Sequence, residues 1–273
     1  MLAGCSVRSV APGRALMQRE RPERSRAHDR VGRGLYERAS TRTEPWRFGR
    51  AFFHDDFPVR YDSNFLLVER PLHGAPAERL VEEADRVLSA FRHREIVVED
   101  GEDGALAALD LVRLGYRADR LLVMAVRRGS VRPARAEVEE RSLEELRPLH
   151  LEIMRRDPES TQAAEPLTDF LKVLRDRAGA RFFAARADGE LAACCELYPA
   201  GDVAQIENVN TLEEFRGRGL AGACVLHAIE EARADGADLV FLHADANDWP
   251  RDLYEQLGFD VIGSRWSFVR APQ

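Results

Sequence analysis

The segment NVNTLEEFRGRGLAGACVL, residues 208–226, joins glycines and arginines directly before a predicted helix, and Arg216, Gly219 and Ala221 in it form R-x-x-G-x-A. Glycine lets the backbone approach an anion closely, and the first N–H groups of a helix point at that anion with the positive end of the helix dipole behind them. Arg216 and Arg218 would add charge-assisted hydrogen bonds. The pattern predicts a phosphate-binding helix start, although a plain tight turn would use the same glycines.

A second segment, DANDWPRDLYEQLGF at residues 245–259, follows the next predicted strand and contains Asn247, Tyr254 and the pair Gly258-Phe259. With the arginine-glycine loop, it resembles the GNAT N-acetyltransferase superfamily. That family has a pyrophosphate loop of the form Q/R-x-x-G-x-G/A and a C-terminal signature of Asn, then Tyr, then Gly-Phe/Tyr. The resemblance covers roughly residues 135–270, and the predicted order of hairpin and helices is similar to the family's fold.

The resemblance implies acetyl-CoA as co-substrate and no metal ion. The backbone that would cradle the pyrophosphate belongs to Arg216, Gly217, Arg218, Gly219, Leu220 and Ala221. Val209 and Thr211 at the end of the preceding strand would pair with the pantetheine, and Asn247 would hydrogen-bond the cofactor unless it is only a helix cap.

One detail of the residues agrees with this. Strict alternation along a strand puts Ile206 and Val209 on opposite faces, so both can face a core only if a β-bulge lies near Asn208. The family has a bulge there, which splays two strands apart to admit the cofactor.

Two side chains are candidates for the proton transfers that the implied reaction needs. An amine must lose a proton before it attacks a thioester, and the departing thiolate must gain one. Tyr254 matches the family's frequent general acid, and Glu207, on the strand beside the thioester, is the candidate base, directly or through a water. The alternatives are a tyrosine that only packs and a glutamate that forms a surface salt bridge.

Three further side chains lie near these segments. His227 falls within the packed helix and is expected to be structural. His243 ends a predicted strand where substrates would approach, yet a hydrogen-bonded histidine without a chemical role is favoured. Trp249 either caps the pocket or packs at a helix start.

The elements that position these residues alternate strands with helices. Ser142 and Glu145 form a capping box that starts a helix over 142–157, and Asp188-Gly189 predicts a hairpin. The other predicted helices are 165–178, ending at Gly179, 217–234 and 248–257, with strands at 203–209 and 238–244 and further strands after Gly258. Interleaved strands and helices with hairpins predict an α/β (α+β) fold with a mixed, mostly antiparallel sheet.

The chain also repeats itself. With a shift of 143 residues, Gly258 falls on Gly115, Phe259 on Tyr116, strand 239–242 on 96–99 and helix 217–234 near 75–91. Strand, helix and glycine turn in one register predict two related GNAT-like domains.

The first copy lacks every chemical group of the second. Arg216 falls on His73, Gly219 on Pro76 and Tyr254 on Leu111. Proline has no N–H to offer an anion. We therefore predict a degenerate GNAT-like domain at 46–130 that serves as scaffold and shapes the acceptor pocket, a linker around 127–135, and a catalytic domain at 131–273.

Charge is distributed unevenly. Residues 1–50 carry twelve Arg and five acidic residues, a net of +7, so the rest carries −14 of the overall −7. Residues 1–45 are expected to be a disordered basic leader. The acidic body argues against a nucleic-acid partner and favours a cationic acceptor.

No apolar run approaches the ~20 residues that span a bilayer. The four cysteines fit buried thiols in a reducing cytoplasm.

The sequence thus predicts a cytoplasmic N-acetyltransferase that transfers an acetyl group from acetyl-CoA to a primary amine of a small molecule or peptide, by direct attack in a ternary complex. Another acyl donor or a hydroxyl acceptor remains open, as does the choice between monomer and homodimer. From a different class, the alternative is a non-catalytic acyl-CoA sensor or protein-interaction module.

Overall fold

The computed structural model describes residues 32–127 and 136–271. Its helices are α1 (32–39), α2 (Ala77–Val87), α3 (Gly101–Arg113), α4 (Leu143–Arg156), α5 (Ala164–Ala178), α6 (Leu220–Ala234) and α7 (Pro250–Gln256). Its strands are β1 (Arg42–Trp46), β2 (Gly49–Phe53), β3 (Phe65–Val68), β4 (Arg94–Val98), β5 (Arg117–Val126), β6 (Val138–Arg141), β7 (Arg181–Ala187), β8 (Glu190–Ala200), β9 (Val203–Thr211), β10 (Leu239–Asp245) and β11 (Phe259–Arg270). None of the described helices is both long and apolar enough to cross a membrane.

The eleven strands form one mixed sheet in the order β1-β2-β3-β4-β11-β5-β10-β9-β8-β7-β6. Two neighbouring pairs, β3–β4 and β9–β10, are parallel, and the others are antiparallel. The predicted mixed, mostly antiparallel sheet is confirmed. It is continuous across the two predicted segments, which therefore do not have a sheet each.

The sheet is pseudo-symmetric about the boundary between β11 and β5. On one side of it, β11–β4 is antiparallel, β4–β3 is parallel, and β3–β2 and β2–β1 are antiparallel. On the other side the same order of pairings occurs in β5–β10, β10–β9, β9–β8 and β8–β7. The strand that ends each half is inserted next to the parallel pair of the other half, since β5 pairs with β10 and β11 pairs with β4. The two similar sequences after Gly115 and Gly258 form these two exchanged strands, β5 and β11.

Part of the predicted disordered leader is structured. Residues 32–45 of the predicted disordered leader include α1 and most of β1, while residues 1–31 lie outside the described part. Tyr36 of α1 packs its ring against Phe52 and Phe65, at centroid distances of 5.6 and 4.9 Å. The prediction was wrong here because β1 is an edge strand whose first four residues are exposed, so it lacks the apolar pattern of a buried strand.

Several local predictions are confirmed. Ser142 and Glu145 form the capping box at the start of α4, and Gly179 ends α5 with a left-handed φ of 69°. Asp188 and Gly189 turn the β7–β8 hairpin with φ values of 53° and 89°. The predicted linker and domain boundary fall within residues 128–135, outside the described residues.

Two boundaries differ from the predictions. Helix α6 starts at Leu220 rather than near Gly217, because Gly219 has a φ of 77° that cannot belong to a right-handed helix. The expected strands after Gly258 are a single strand, β11, with a register shift between Val261 and Gly263. A glycine inside a strand can mark such a bulge as well as a turn.

Helix α6 packs on one face of the sheet, against β7, β8 and β9. Phe183 of β7 contacts the ring of His227 on α6 at 5.2 Å, and Phe183 is directly opposite Cys195 of β8. Directly opposite residues share a face of the sheet, so Cys195 faces α6 and its neighbour Glu196 faces the other side.

Candidate active site

The two parallel strands β9 and β10 separate at their carboxyl ends. Their pairing runs from Leu239↔Val203 to Leu242↔Ile206 and stops there, although β9 continues to Thr211 and β10 to Asp245. The strands therefore open into a cleft whose walls are the ends of two neighbouring strands.

A β-bulge in β9 lies beside this cleft, where the sequence predicted one. The pairs Cys194↔Asn210 and Glu196↔Glu207 leave two residues of β9 opposite Cys195 alone, and Asn208 has a φ of 50°. Val209 consequently packs against the same core as Ile206. The bulge thus resolves the conflict in alternation.

Thr211 lies at the end of β9. Its hydroxyl Oγ1 is buried and has no hydrogen-bond partner among the described residues. A buried polar atom without a partner is rare in proteins and indicates a place for a ligand or water.

The glycine loop lies directly after β9. A short 3₁₀ turn, Glu213–Phe215, leads into it, and Gly217 and Gly219 both have a φ of 77°. The first backbone bond of α6 is Ala223 N–H to the carbonyl of Gly219, at 3.0 Å. The N–H groups of residues 220–222 therefore have no carbonyl one turn earlier to bind and are available to a ligand.

Space above this loop is open. A Cβ atom built on Gly217 or on Gly219 would have no heavy atom within 4 Å. Three N–H groups without a backbone acceptor at the start of a 15-residue helix fit an anionic group such as a pyrophosphate.

The two arginines of the loop differ in their surroundings. Arg218 donates from Nη1 to Asp188 Oδ2 at 2.8 Å and stacks over the ring of Phe215 at 5.1 Å. Arg216 is exposed and forms no salt bridge within 32–127 and 136–271. Arg216 is therefore the arginine whose charge is available, whereas Arg218 is already neutralised.

Glu207 and His243 are the first residues beyond the last β9–β10 pair. They meet across the cleft, with His243 Nδ1 3.0 Å from Glu207 Oε1, and Gln205 Nε2 donates to the same oxygen. Burial by itself would raise the pKa of Glu207, but the hydrogen bond and charge of His243 outweigh it and lower that pKa. Glu207 is thus an ionised carboxylate held by two neighbours, and its contact with His243 is a salt bridge when the imidazole is protonated.

Tyr254 is a buried residue of α7, with its ring 5.9 Å from that of Phe259. Burial is the main cause that raises the pKa of its phenol, and the negative charge of Glu207 raises it further. The phenol is therefore fully protonated at neutral pH and close enough to Glu207 to feel its charge.

The other predicted residues are distributed as follows. Asn247 is exposed beyond β10, and its N–H donates to Asp245 Oδ1 at 2.7 Å. It is not a helix cap, since the cap residue of α7 is Trp249. Trp249 is 63% exposed, so it does not pack at the helix start. His227 contacts the ring of Phe183, as expected of a structural residue. Ala221 is half-buried at the first turn of α6.

The sequence did not reveal a buried polar group on the same face of the sheet. Glu196 is directly opposite Glu207, and its Oε2 accepts a hydrogen bond from Tyr198. Burial is the largest cause that raises the pKa of Glu196. Period-two alternation from Glu207 would have placed Glu196 on this face, but only once the strand register was known.

Two residues distant in sequence complete the surroundings. Arg265 of β11 is buried, donates to the hydroxyl of Tyr36 on α1 at 2.5 Å, and acts electrostatically on Glu207. From the loop between β2 and β3, Phe57 and Arg60 contact the ring of Phe170 on α5, at 5.1 and 4.4 Å. The N-terminal half therefore reaches over the C-terminal half beside the cleft.

The corresponding place in the N-terminal half is closed. The β3–β4 pairing continues to Val68↔Val98, the last residues of both strands, so no split opens. The loop before α2 ends in Pro76, and the N–H of Leu72 donates to the carboxylate of Asp103 at 2.8 Å. Among the described residues, no cluster of three or more His, Cys, Asp or Glu side chains could hold a metal ion.

Two solved structures share this architecture. One is a GCN5-related N-acetyltransferase from Kribbella flavida, 21% identical, with a TM-score of 0.61 over 90% of this chain and 95% of that one. The other is a conserved protein of unknown function from Staphylococcus epidermidis ATCC 12228, 15% identical, with a TM-score of 0.70 over 85% of this chain and 94% of that one. At these identities the similarity establishes the fold alone.

Comparison of sequences adds the family. No curated protein matches the chain significantly. Residues 143–259 match the acetyltransferase (GNAT) family, and this match spans α4 to the first residue of β11, including the glycine loop, Glu207 and Tyr254. The part of the chain with the split strands and the glycine loop is therefore a domain of the GNAT acetyltransferase family.

Proposed function

We propose that the protein is an N-acetyltransferase that transfers an acetyl group from acetyl-CoA to a primary amine of a small molecule or peptide, by direct attack in a ternary complex. The observation that carries this proposal is the cleft between β9 and β10, which opens onto the glycine loop at the start of α6. An acyl carrier with a pyrophosphate at one end and an extended pantetheine at the other fits that pair of features.

The residues present suit the co-substrate. The open N–H groups after Gly219 and the free charge of Arg216 would hold the pyrophosphate. Val209 and the buried, unpartnered hydroxyl of Thr211 would hold the pantetheine, and exposed Asn247 would hydrogen-bond it from the opposite wall. When bound, acetyl-CoA supplies the activated acetyl group as a thioester.

On the acceptor side, Glu207 would receive the proton that the amine must lose. Glu207 is ionised at neutral pH and so has a site for the proton, while its lowered pKa makes it a weaker base than an ordinary glutamate. The hydrogen bonds from His243 and Gln205 fix its position at the mouth of the cleft. A water between Glu207 and the amine would serve equally well.

On the other side, Tyr254 would donate the proton that the departing sulfur requires. Its raised pKa keeps the phenol protonated until that moment. The negative charge of Glu207 contributes to that elevation, so the candidate base also helps to keep the candidate acid protonated.

The N-terminal half is proposed to be a degenerate copy of the same unit that does not bind CoA. The closed β3–β4 pair and Pro76 before α2 support this. Its proposed role is to complete the sheet and to cover the acceptor side with the loop that carries Phe57 and Arg60.

The proposal is tested by calorimetric titration with acetyl-CoA, followed by a thiol-release assay over a panel of amines. We expect saturable binding and turnover of at least one amine. Arg216→Gln removes a charge-assisted contact, so it should weaken acetyl-CoA binding about tenfold. Arg113→Gln is the matched control, because it removes an exposed arginine of α3 whose one salt-bridge partner among the described residues is Asp110.

The outcomes separate the candidate functions. Absence of acetyl-CoA binding would refute the whole proposal. Binding without turnover of any amine would instead favour an acyl-CoA sensor.

A further inference from the structure

Two buried hydrogen-bond acceptors beside the cleft lack donors. Glu196 is 1% exposed and Gln205 is 3% exposed. Oε1 of Glu196 and Oε1 of Gln205 have no hydrogen-bond partner among the described residues. Their other polar atoms are used, because Tyr198 donates to Glu196 Oε2, the side chain of Asn208 also hydrogen-bonds the Glu196 carboxylate, and Gln205 Nε2 donates to Glu207. The protein therefore fixes both side chains but leaves one oxygen on each for something else.

Both oxygens belong to one face of the sheet, next to the reaction centre proposed above. Across β8 and β9, Glu196 is opposite Glu207 and Tyr198 is opposite Gln205. Directly opposite residues have Cβ atoms about 5 Å apart and point to the same side. The bulge at Asn208 and the last β9–β10 pair at Ile206 place this group of four residues at the mouth of the cleft.

The nearby cations direct their terminal nitrogens at other partners, whereas Nε of Arg265 is buried and has no hydrogen-bond partner among the described residues. Arg60 donates from Nη2 to Asp62 Oδ2 at 2.9 Å. Arg265 donates to the hydroxyl of Tyr36 and faces the carboxylate of Glu99. His243 is bonded to Glu207. Because buried acceptors are rarely left without donors, the two oxygens indicate a place for a donor from outside the chain, either a ligand or a water.

We propose that Glu196 and Gln205 bind a second, protonated nitrogen of the acceptor, so that the preferred substrate is a short diamine. This inference rests on the function proposed above. The nitrogen to be acetylated would lie at Glu207 and the second nitrogen at Glu196 and Gln205. Because Glu196 and Glu207 are opposite each other, a separation of about 5 Å favours a short linker.

The test compares straight-chain diamines of increasing length with monoamines of the same length. Binding is measured by calorimetry on the full chain in the presence of CoA, and turnover by thiol release. A hydrogen bond to a charged group predicts that a short diamine binds about tenfold or more tightly than its matched monoamine. Glu196→Gln should remove most of that preference. Equal binding of diamine and monoamine by the unchanged protein, or an unchanged preference in the variant, would overturn the inference.

Controls keep the inference separate from the proposed function. Glu190→Gln removes an exposed carboxylate from the same strand and should preserve the preference. If Glu196→Gln no longer binds acetyl-CoA, Gln205→Met removes the second acceptor at similar volume and should lower the preference severalfold. If acetyl-CoA binds the unchanged protein but diamines are not preferred, only this inference fails. If acetyl-CoA does not bind at all, the proposed function fails with it.

Discussion

Removal of β5 is expected to abolish the candidate active site, although β5 belongs by sequence to the N-terminal half. The perturbation is a fragment that begins at residue 136 and so lacks both β5 and β4. In the full chain β5 lies between β10, a wall of the cleft, and β11, which belongs to the C-terminal half by sequence. Without β5, both strands lose a partner, and β11 also loses β4.

The size of the effect follows from what β5 buries. Leu122, Val123, Met124 and Val126 are all buried, and three of them belong to the core that also contains Tyr254 and Ile206. Burial of one such side chain contributes about 1.5–3 kcal/mol, so the four contribute about 6–12 kcal/mol. Whole domains are stable by only about 5–15 kcal/mol. The fragment should therefore not fold cooperatively.

The assay is urea unfolding followed by circular dichroism, with acetyl-CoA titration of the same samples. Met124→Ala in the full chain is the milder companion, expected to lower the free energy of unfolding by about 2–5 kcal/mol. A fragment that unfolds cooperatively and binds acetyl-CoA as tightly as the full chain would refute the reasoning. It would mean that β11 can occupy the place of β5.

Three further predictions concern single residues. Gly219→Ala puts a side chain on a residue with a φ of 77°, so it should lower the free energy of unfolding by about 1–2 kcal/mol in thermal unfolding and should also weaken acetyl-CoA binding. The control is Gly201→Ala, at a φ of 69° in a turn remote from the loop, which should lower stability as much without changing the Kd. Equal effects of the two substitutions on the Kd would contradict the proposed anion-binding role of the glycine loop. Burial raises the pKa of Glu95 from 4.5 to about 7, so this carboxyl stabilises the fold below a pH of about 4.5 and that stability is lost as pH rises through about 7. Glu95→Gln, which can retain the bond to Ser267, should therefore gain about 3 kcal/mol over the unchanged protein above that pH, and parallel stability profiles in urea titrations would disprove it. Tyr254→Phe should lower kcat about a hundredfold or more with little change in the Kd for acetyl-CoA, and the opposite split in kinetics and calorimetry would argue against the acid role.

Much of the C-terminal half could be predicted, because the patterns that indicate its turns and helix ends each involve a few neighbouring residues. The capping box at Ser142, the Asp188-Gly189 turn and the bulge at Asn208 each depend on a few neighbouring residues, and all three occur in the structure. The glycine loop was also identified from its residues, because glycine permits the left-handed φ found at Gly217 and Gly219, although the exact start of α6 was not.

The predictions that failed concern contacts over long sequence distances. Residues 32–45 pattern as a polar leader, yet Tyr36 packs on Phe52 and Phe65 and accepts a hydrogen bond from Arg265. The sequence after Gly258 suggested more than one strand, whereas pairing with β4 and β5 holds β11 as one.

From the residues alone came the GNAT resemblance of the second half, the proposed phosphate-binding loop and the candidate proton-transfer residues Glu207 and Tyr254. These follow from residue type and spacing, which need no knowledge of the rest of the chain. Only the tertiary structure decided which side chains surround Glu207, because strand register brings Glu196 and His243 beside it from two other strands. It also decided that the halves share one sheet, since period-two patterning states which face of a strand is buried but not which strand lies next to it.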